Sequence, residues 1–220
     1  MDSWVTSSRR GGRPTLGLTG TIGAGKSTVA KVLRDLGWCV SDSDALAREA
    51  FEDQAVIEQV RKWWGPAVLA ADGSVNRARV AAIVFPPPGA SPAELAGCAS
   101  QRAALEELIH PWIHNRRQLQ FDSAPANAPG FVIDAPLLLE TGLEKECSII
   151  LFVDAPLSER LRRVRASRGW DADELARRES TQMPLDQKRK MAHHVIVNDA
   201  DLESLRARVA RIHSRITEGQ

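Results

Sequence analysis

Between Gly17 and Thr28 the chain reads GLTGTIGAGKST. Small residues at Gly20, Gly23, Ala24 and Gly25 let successive backbone N–H groups turn inward onto an oxyanion. Lys26 follows as one fixed cation, and Ser27 and Thr28 supply hydroxyls. The run from Gly20 to Ser27 fits G-x-x-x-x-G-K-[ST], the phosphate-binding P-loop. A β-like stretch, Thr15–Thr19, leads in, and a helical pattern leads out, so the first free N–H groups of that helix face the same anion. The expected ligand is a nucleoside triphosphate, ATP. Gly23, Ala24, Gly25, Lys26, Ser27 and Thr28 form its loop, Lys26 meets the β- and γ-phosphates, and the Ser27 hydroxyl ligates Mg²⁺.

Two carboxylates, Asp42 and Asp44, follow a second short strand-like run, Trp38-Cys39-Val40. They are expected at the carboxyl edge of a parallel sheet, where open α/β folds place ligands. A carboxylate there can take the proton of an attacking hydroxyl, and Asp44 is the stronger candidate. The competing role is capping of the next helix. Asp134 ends the apolar run Phe131-Val132-Ile133 and is placed to hold Mg²⁺, directly or through water; its plainer reading is a turn carboxylate before Pro136. From Arg160 to Lys190 there are ten basic and five acidic residues, a local +5 in a chain of net +1. An arginine-bearing flap that closes over phosphates has this composition. Most of its individual arginines fit a solvated helix face equally well. His110-Pro111 is expected to close one helix and open another, because proline disfavours helical backbone before it. The other histidines show no metal-ligand spacing.

The elements that would position these groups follow from periodicity. Val29, Val32, Leu33 and Leu36 recur on one helical face, with Gly37 placed to end the helix. Two short helices fit Ala45–Trp64, and Asn76–Phe85 fits a helix capped by Asn76. Phe85 to Pro92 is a proline-rich break, after which Ser91 and Glu94 form a capping-box pattern opening a helix toward Ile109. Ile149–Val153 is a second continuous apolar strand of the type covered on both faces. Pro156 opens a helix with Leu157, Leu161 and Val164 on one side. Val195–Val197 is the last strand, and Leu202, Leu205, Val209, Ile212 and Ile216 mark a closing helix. Alternation of strands and helices implies an α/β fold with a parallel sheet.

With 220 residues, 43% hydrophobic and 26% charged, the composition is that of an ordinary globular protein. A net charge of +1 gives no ground for nucleic acid or an anionic membrane as partner. Cys39, Cys98 and Cys147 are too few and scattered for a disulfide framework or a zinc site, so a reduced, cytoplasmic setting is expected. No run of 18 apolar residues exists. Residues 1–14 are expected to be a flexible extension, with no secretory signal pattern.

Several stretches in this order resemble the dephospho-CoA kinase family: LTGTIGAGKSTVAKVLRDLG (18–37), SDSDALAR (41–48), DGSVNRARVAAIVF (72–85), LEELIHPWI (105–113), FVIDAPLLLETGLE (131–144) and ARRESTQMPLDQKRKMAHHVIVN (176–198). The P-loop is shared by many families; D-x-D-x-x-A-R, the His-Pro pair, A-P-L-L-x-E and R-x-x-x-Q-x-x-x-x-x-K-R are more specific. The resemblance implies a three-layer α/β/α P-loop NTPase fold, within a kinase domain over 15–220. Its core would take 15–44, 130–168 and 193–217, its helical acceptor-binding part about 45–129, and its lid about 168–192. It implies transfer from ATP to the ribose 3′-hydroxyl of dephospho-CoA, the last step of coenzyme A synthesis, by a monomer or weak homo-oligomer. Asp44 corresponds to the general base. Arg48, Arg77, His110, Pro136, Leu137, Leu138 and Glu140 fall on the acceptor side, and Arg168 and Arg177 in the lid. Departures are Thr21 and Ala24 in the loop, where the family usually has glycine and serine, and His193 and Ala200 near the last strand. On the residues alone, a kinase for another small metabolite fits the loop and lid equally well. A guanine-specific N-K-x-D stretch is absent.

Overall fold

The structure, a computed structural model, describes residues 10–87 and 89–218. The chain divides into two compact units. One takes the chain up to Asp42 and again from Ser123, and the other is Ser43–Asp122. Of the extension expected at residues 1–14, residues 1–9 lie outside the described residues. Arg10 and Arg13 pair in an antiparallel bridge, and the Arg13 guanidinium stacks 4.6 Å from the Phe131 ring centroid.

The first unit is built on five parallel strands: β1 (Thr15–Gly20), β2 (Cys39–Asp42), β3 (Phe131–Asp134), β4 (Ile149–Asp154) and β5 (His194–Val197). Their order is β2-β3-β1-β4-β5. Every residue of β1 and β3 is buried, which is why β1 reads as a run of apolar and small residues and β3 is apolar up to Asp134. The register sets Asp42 opposite Asp134, and Asp134 opposite Leu18. Gly20 stands opposite Val153. The strand ends therefore line up at one carboxyl edge, and the phosphate loop leaves β1 from that edge.

Helix α1 (Lys26–Asp35) turns Val29, Val32 and Leu33 into the core beside Leu16, Leu18, Leu151 and Val153. Full burial of each such side chain is worth about 1.5–3 kcal/mol. The helix stops where its glycine predicts. Gly37 has φ +89, its N–H bonds Arg34 O at 3.0 Å, and the Trp38 N–H bonds Leu33 O at 3.0 Å. Those two bonds are a Schellman cap, which needs the left-handed backbone glycine adopts without strain. The remaining helices of this unit are α6 (Leu157–Arg168), α7 (Ala172–Glu179), α8 (Leu185–Met191) and α9 (Leu202–Glu218), in which Leu205, Val209 and Ile216 are buried.

The second unit holds α2 (Ser43–Ala50), α3 (Gln54–Trp64), α4 (Arg77–Val84) and α5 (Pro92–Asp122). Its own core joins Leu46, Ala50, Val56, Val60, Val80, Val84, Leu105 and Ile109. Side-chain caps fix the helix starts. Asp53 accepts from Ala55 N at 2.9 Å, and Asn76 accepts from Arg79 N at 3.2 Å. Ser91 and Glu94 exchange the reciprocal bonds of a capping box. (The second Asp53 oxygen accepts from Trp112 Nε1 at 2.9 Å, a bond that holds the Asp53 carboxyl below its ordinary range.)

Two expectations need correction. The helix expected to break at His110-Pro111 runs on without interruption from Pro92 to Asp122. Proline removes only one N–H from the ladder. The buried residues Leu105, Ile109, Ile113, Arg117 and Phe121, four apart, hold both halves on one line. The buried side of α6 also differs: Leu157 is 55% exposed, and Arg160 and Val164 are the buried pair. Leu157 opens the helix and overhangs solvent. Arg160 is neutralised in place, with Nε donating to Ala155 O at 3.2 Å and an ion pair to Glu179.

Candidate active site

The phosphate loop has the backbone its sequence requires. Gly23 and Gly25 lie at φ +78 and +92, in the left-handed region. A Cβ on Gly20 would stand 2.4 Å from Val153 O, and one on Gly25 would stand 2.4 Å from Asn198 Nδ2. Gly25 also caps α1, whose first turn leaves its N–H groups without partners inside the helix. Thr21 keeps a position of its own: its N–H bonds Val153 O at 3.0 Å and its hydroxyl donates to Asp154 Oδ1 at 3.4 Å.

Lys26 forms an ion pair with Asp134, so the loop cation and the acid at the end of β3 meet. Ser27 is exposed on the first turn of α1, and Thr28 is half-buried with its N–H on Gly25 O at 3.0 Å. The loop is braced from behind by two residues that sequence reasoning did not single out. Asn198 donates from Nδ2 to Ala24 O at 2.7 Å. Arg163 donates to Ala24 O at 3.2 Å and to Asn198 O at 3.2 Å. Arg163 stood among many arginines and Asn198 at the end of a short strand, so neither carried a spacing signal.

The other candidates fall in both units. Asp42 is the last residue of β2, and Asp44 is exposed in the first turn of α2, which begins at Ser43. Arg48 (last turn of α2), Arg77 (start of α4) and His110 (on α5) are exposed on the second unit. In the first unit, Pro136 is half-buried and Leu137 exposed, whereas Leu138 is fully buried. Leu138 packs on Gly17 of β1, where a Cβ would come within 2.6 Å of its Cδ2. The Glu140 carboxylate accepts from Lys188 Nζ at 2.7 Å and from the Met183 N–H at 2.9 Å. Burial pushes the Glu140 carboxyl up, and the hydrogen bonds from Lys188 and Met183 outweigh it, leaving it below its ordinary range.

On the flap, Arg168 and Arg178 stack on Trp170, 4.7 Å and 4.3 Å from its ring. Arg177 and Arg178 both hold Glu174, which brings that carboxyl down to about 2. His193 accepts from the Ile150 N–H at 3.0 Å and so continues the edge of β4.

A family model described as Dephospho-CoA kinase matches residues 14–204. The chain is 37% identical to a dephospho-CoA kinase of Thermus thermophilus over 204 residues, 93% of this chain and 92% of that one. It is 38% identical to that of Deinococcus radiodurans over 191 residues, 86% of each. The chain belongs to the dephospho-CoA kinase family. Among solved structures, TT1252 from Thermus thermophilus superposes with a TM-score of 0.72 at 38% identity, covering 91% of this chain and 96% of that one. Dephospho-CoA kinase from Campylobacter jejuni, at 18% identity and TM-score 0.62, has the same fold and covers 94% and 99%. Membership of the dephospho-CoA kinase family makes this chain an α/β P-loop kinase that uses ATP on a small molecule. No helix among the described residues is long and apolar enough to cross a membrane.

Proposed function

We propose that this chain transfers the γ-phosphoryl group of ATP to the ribose 3′-hydroxyl of dephospho-CoA, releasing coenzyme A and ADP. The observation that carries the acceptor is the extent of the family match. It runs through residues 14–204 and so takes in all of Ser43–Asp122, with Asp44, Arg48, Arg77 and His110. A P-loop by itself would support only the donor.

Gly23 to Thr28 cradle the triphosphate, and Lys26 exchanges Asp134 for the β- and γ-phosphates. Asp44 accepts the proton of the acceptor hydroxyl as its oxygen bonds to phosphorus. The bond from the γ-phosphorus to the bridging oxygen breaks, and ADP leaves with that electron pair. Arg168 and Arg177 neutralise the charge that spreads over the transferring group. Arg48, Arg77, His110, Pro136 and Leu137 bind the acceptor, with Leu138 anchoring the loop of Pro136 and Leu137 to β1.

The donor set fits magnesium. Ser27 is exposed on the first turn of α1, and Asp134 pairs with Lys26, the residue before Ser27. No denser group of acids or histidines occurs among the described residues, and Mg²⁺ ordinarily takes one or two protein ligands with phosphate and water completing its shell. Ser27 and Asp134 would hold it, and it would supply charge neutralisation between the β- and γ-phosphates. We place the protein in the cytoplasm, as a monomer or weak homo-oligomer.

The test is ADP release from Mg-ATP with dephospho-CoA, AMP, shikimate, pantothenate or no acceptor. Release with dephospho-CoA alone, with a product one phosphate heavier, is the expected result. ATP binding with no transfer to dephospho-CoA would refute the acceptor.

A further inference from the structure

Helix α8 buries one residue, and it is a lysine. Lys188 is 0% exposed. An ammonium taken fully out of water costs several kcal/mol unless it is paired and hydrogen-bonded. Lys188 has both: Glu140 Oε1 at 2.7 Å and Gln182 Oε1 at 3.0 Å. The Glu140 side chain is 20% exposed, and it also takes the Met183 N–H at 2.9 Å. Gln182 and Met183 belong to the link between α7 and α8; Lys188 lies within α8 itself. Two points at the base of the arginine-bearing segment, Lys188 and Met183, thus converge on one carboxylate, and Gln182 holds the same ammonium from the other side of the link.

That carboxylate sits six residues after Asp134, the partner of Lys26. The segment between them is pinned by Leu138, which is fully buried against β1. It is a short, stiff connection with the loop cation at one end and the base of the flap at the other. A hydrophobic residue at position 188 would serve packing alone at lower cost. A charge there requires Glu140 to be present, ionised and correctly placed.

We infer that Glu140, through buried Lys188 together with Gln182 and Met183, is a positioning residue that sets the base of the arginine flap, and is not a contact to the acceptor. The inference deepens the proposed kinase reaction and rests on it for the role of the flap. Glu140 orients Arg177 on α7 by holding the link between α7 and α8, and Arg168 follows through Trp170, on which Arg168 and Arg178 both stack; its effect falls on the transfer step more than on acceptor binding.

Four proteins test it: wild type, Glu140→Gln, Lys188→Met and the double variant. Backbone hydrogen exchange over residues 180–191 is measured without ligand. Values of kcat and of KM for dephospho-CoA are measured at saturating Mg-ATP, with melting curves as the control for folding. Glu140→Gln leaves Lys188 buried without its counter-charge. It is expected to speed exchange across 180–191 and lower kcat about tenfold, with KM for dephospho-CoA changed by less than about twofold. The double variant, which removes the stranded charge as well, is expected to regain part of both losses. A several-fold rise in KM for dephospho-CoA with exchange unchanged would overturn the inference in favour of an acceptor contact. Faster exchange with kcat unchanged would overturn it in favour of stability alone. Were wild type inert toward dephospho-CoA, the proposed reaction would fall. The clasp would still be decided by exchange, because coupled effects at 140 and 188 support it and independent ones refute it. If Glu140→Gln does not fold, Lys188→Met, which leaves a carboxylate that water can reach, gives the same readouts.

Discussion

Asp44 carries the proposed chemistry with the least structural support around it. It is exposed in the first turn of α2, a position where an acid is favoured simply by the helix dipole. Capping and catalysis therefore predict different outcomes for one substitution. Asp44→Asn keeps the shape and can still serve a helix start, but it cannot accept a proton. We expect it to bind Mg-ATP as wild type does and to lose about 100-fold or more in kcat, in line with loss of a general base. Isothermal titration and steady-state turnover on one preparation distinguish the two; near-normal turnover would leave Asp44 as a cap. At the same scale, the sequence made the loop glycines legible, because a P-loop demands positive φ and close approach that no side chain permits. It did not reveal Asn198 and Arg163, whose bonds to Ala24 O exist only after β5 and α6 have come alongside the loop.

Elements whose ends carry local chemistry were readable from that chemistry. Gly37 ends α1, Asn76 caps α4, and Ser91 with Glu94 opens α5. Each is settled within a few residues, so no tertiary information is needed. Asn76→Ala should cost about 1 kcal/mol, since the Arg79 N–H loses its acceptor. Urea unfolding would measure it, and a change under a few tenths of that would show that α4 does not depend on its cap. Where tertiary contacts decide, local rules failed. Pro111 lies in the middle of a 31-residue helix because buried residues on both sides keep the axis intact. Leu157 is exposed while Arg160 is buried, since Glu179, far along the chain, supplies the counter-charge. Lys188 belongs to the same class: only the fold brings Glu140 to it.

The molecule as a whole joins a unit built on a five-stranded parallel sheet to a separate helical unit that has its own core. That division explains what sequence patterns could and could not give. Alternating strands and helices pointed to the parallel sheet and to the donor, ATP, through one contiguous motif. The acceptor depends on residues scattered over 44–140, whose joint meaning came from family resemblance. Family membership shows a dephospho-CoA kinase; the position of transfer is the claim most open to direct test. The enzyme would be given ATP carrying an isotopically labelled γ-phosphoryl group together with dephospho-CoA, and the label located in the product by phosphorus–proton coupling. One labelled phosphate per product, coupled to the proton on the ribose 3′ carbon, is the expected result. Label in inorganic phosphate alone, or on any other oxygen of the product, would contradict it.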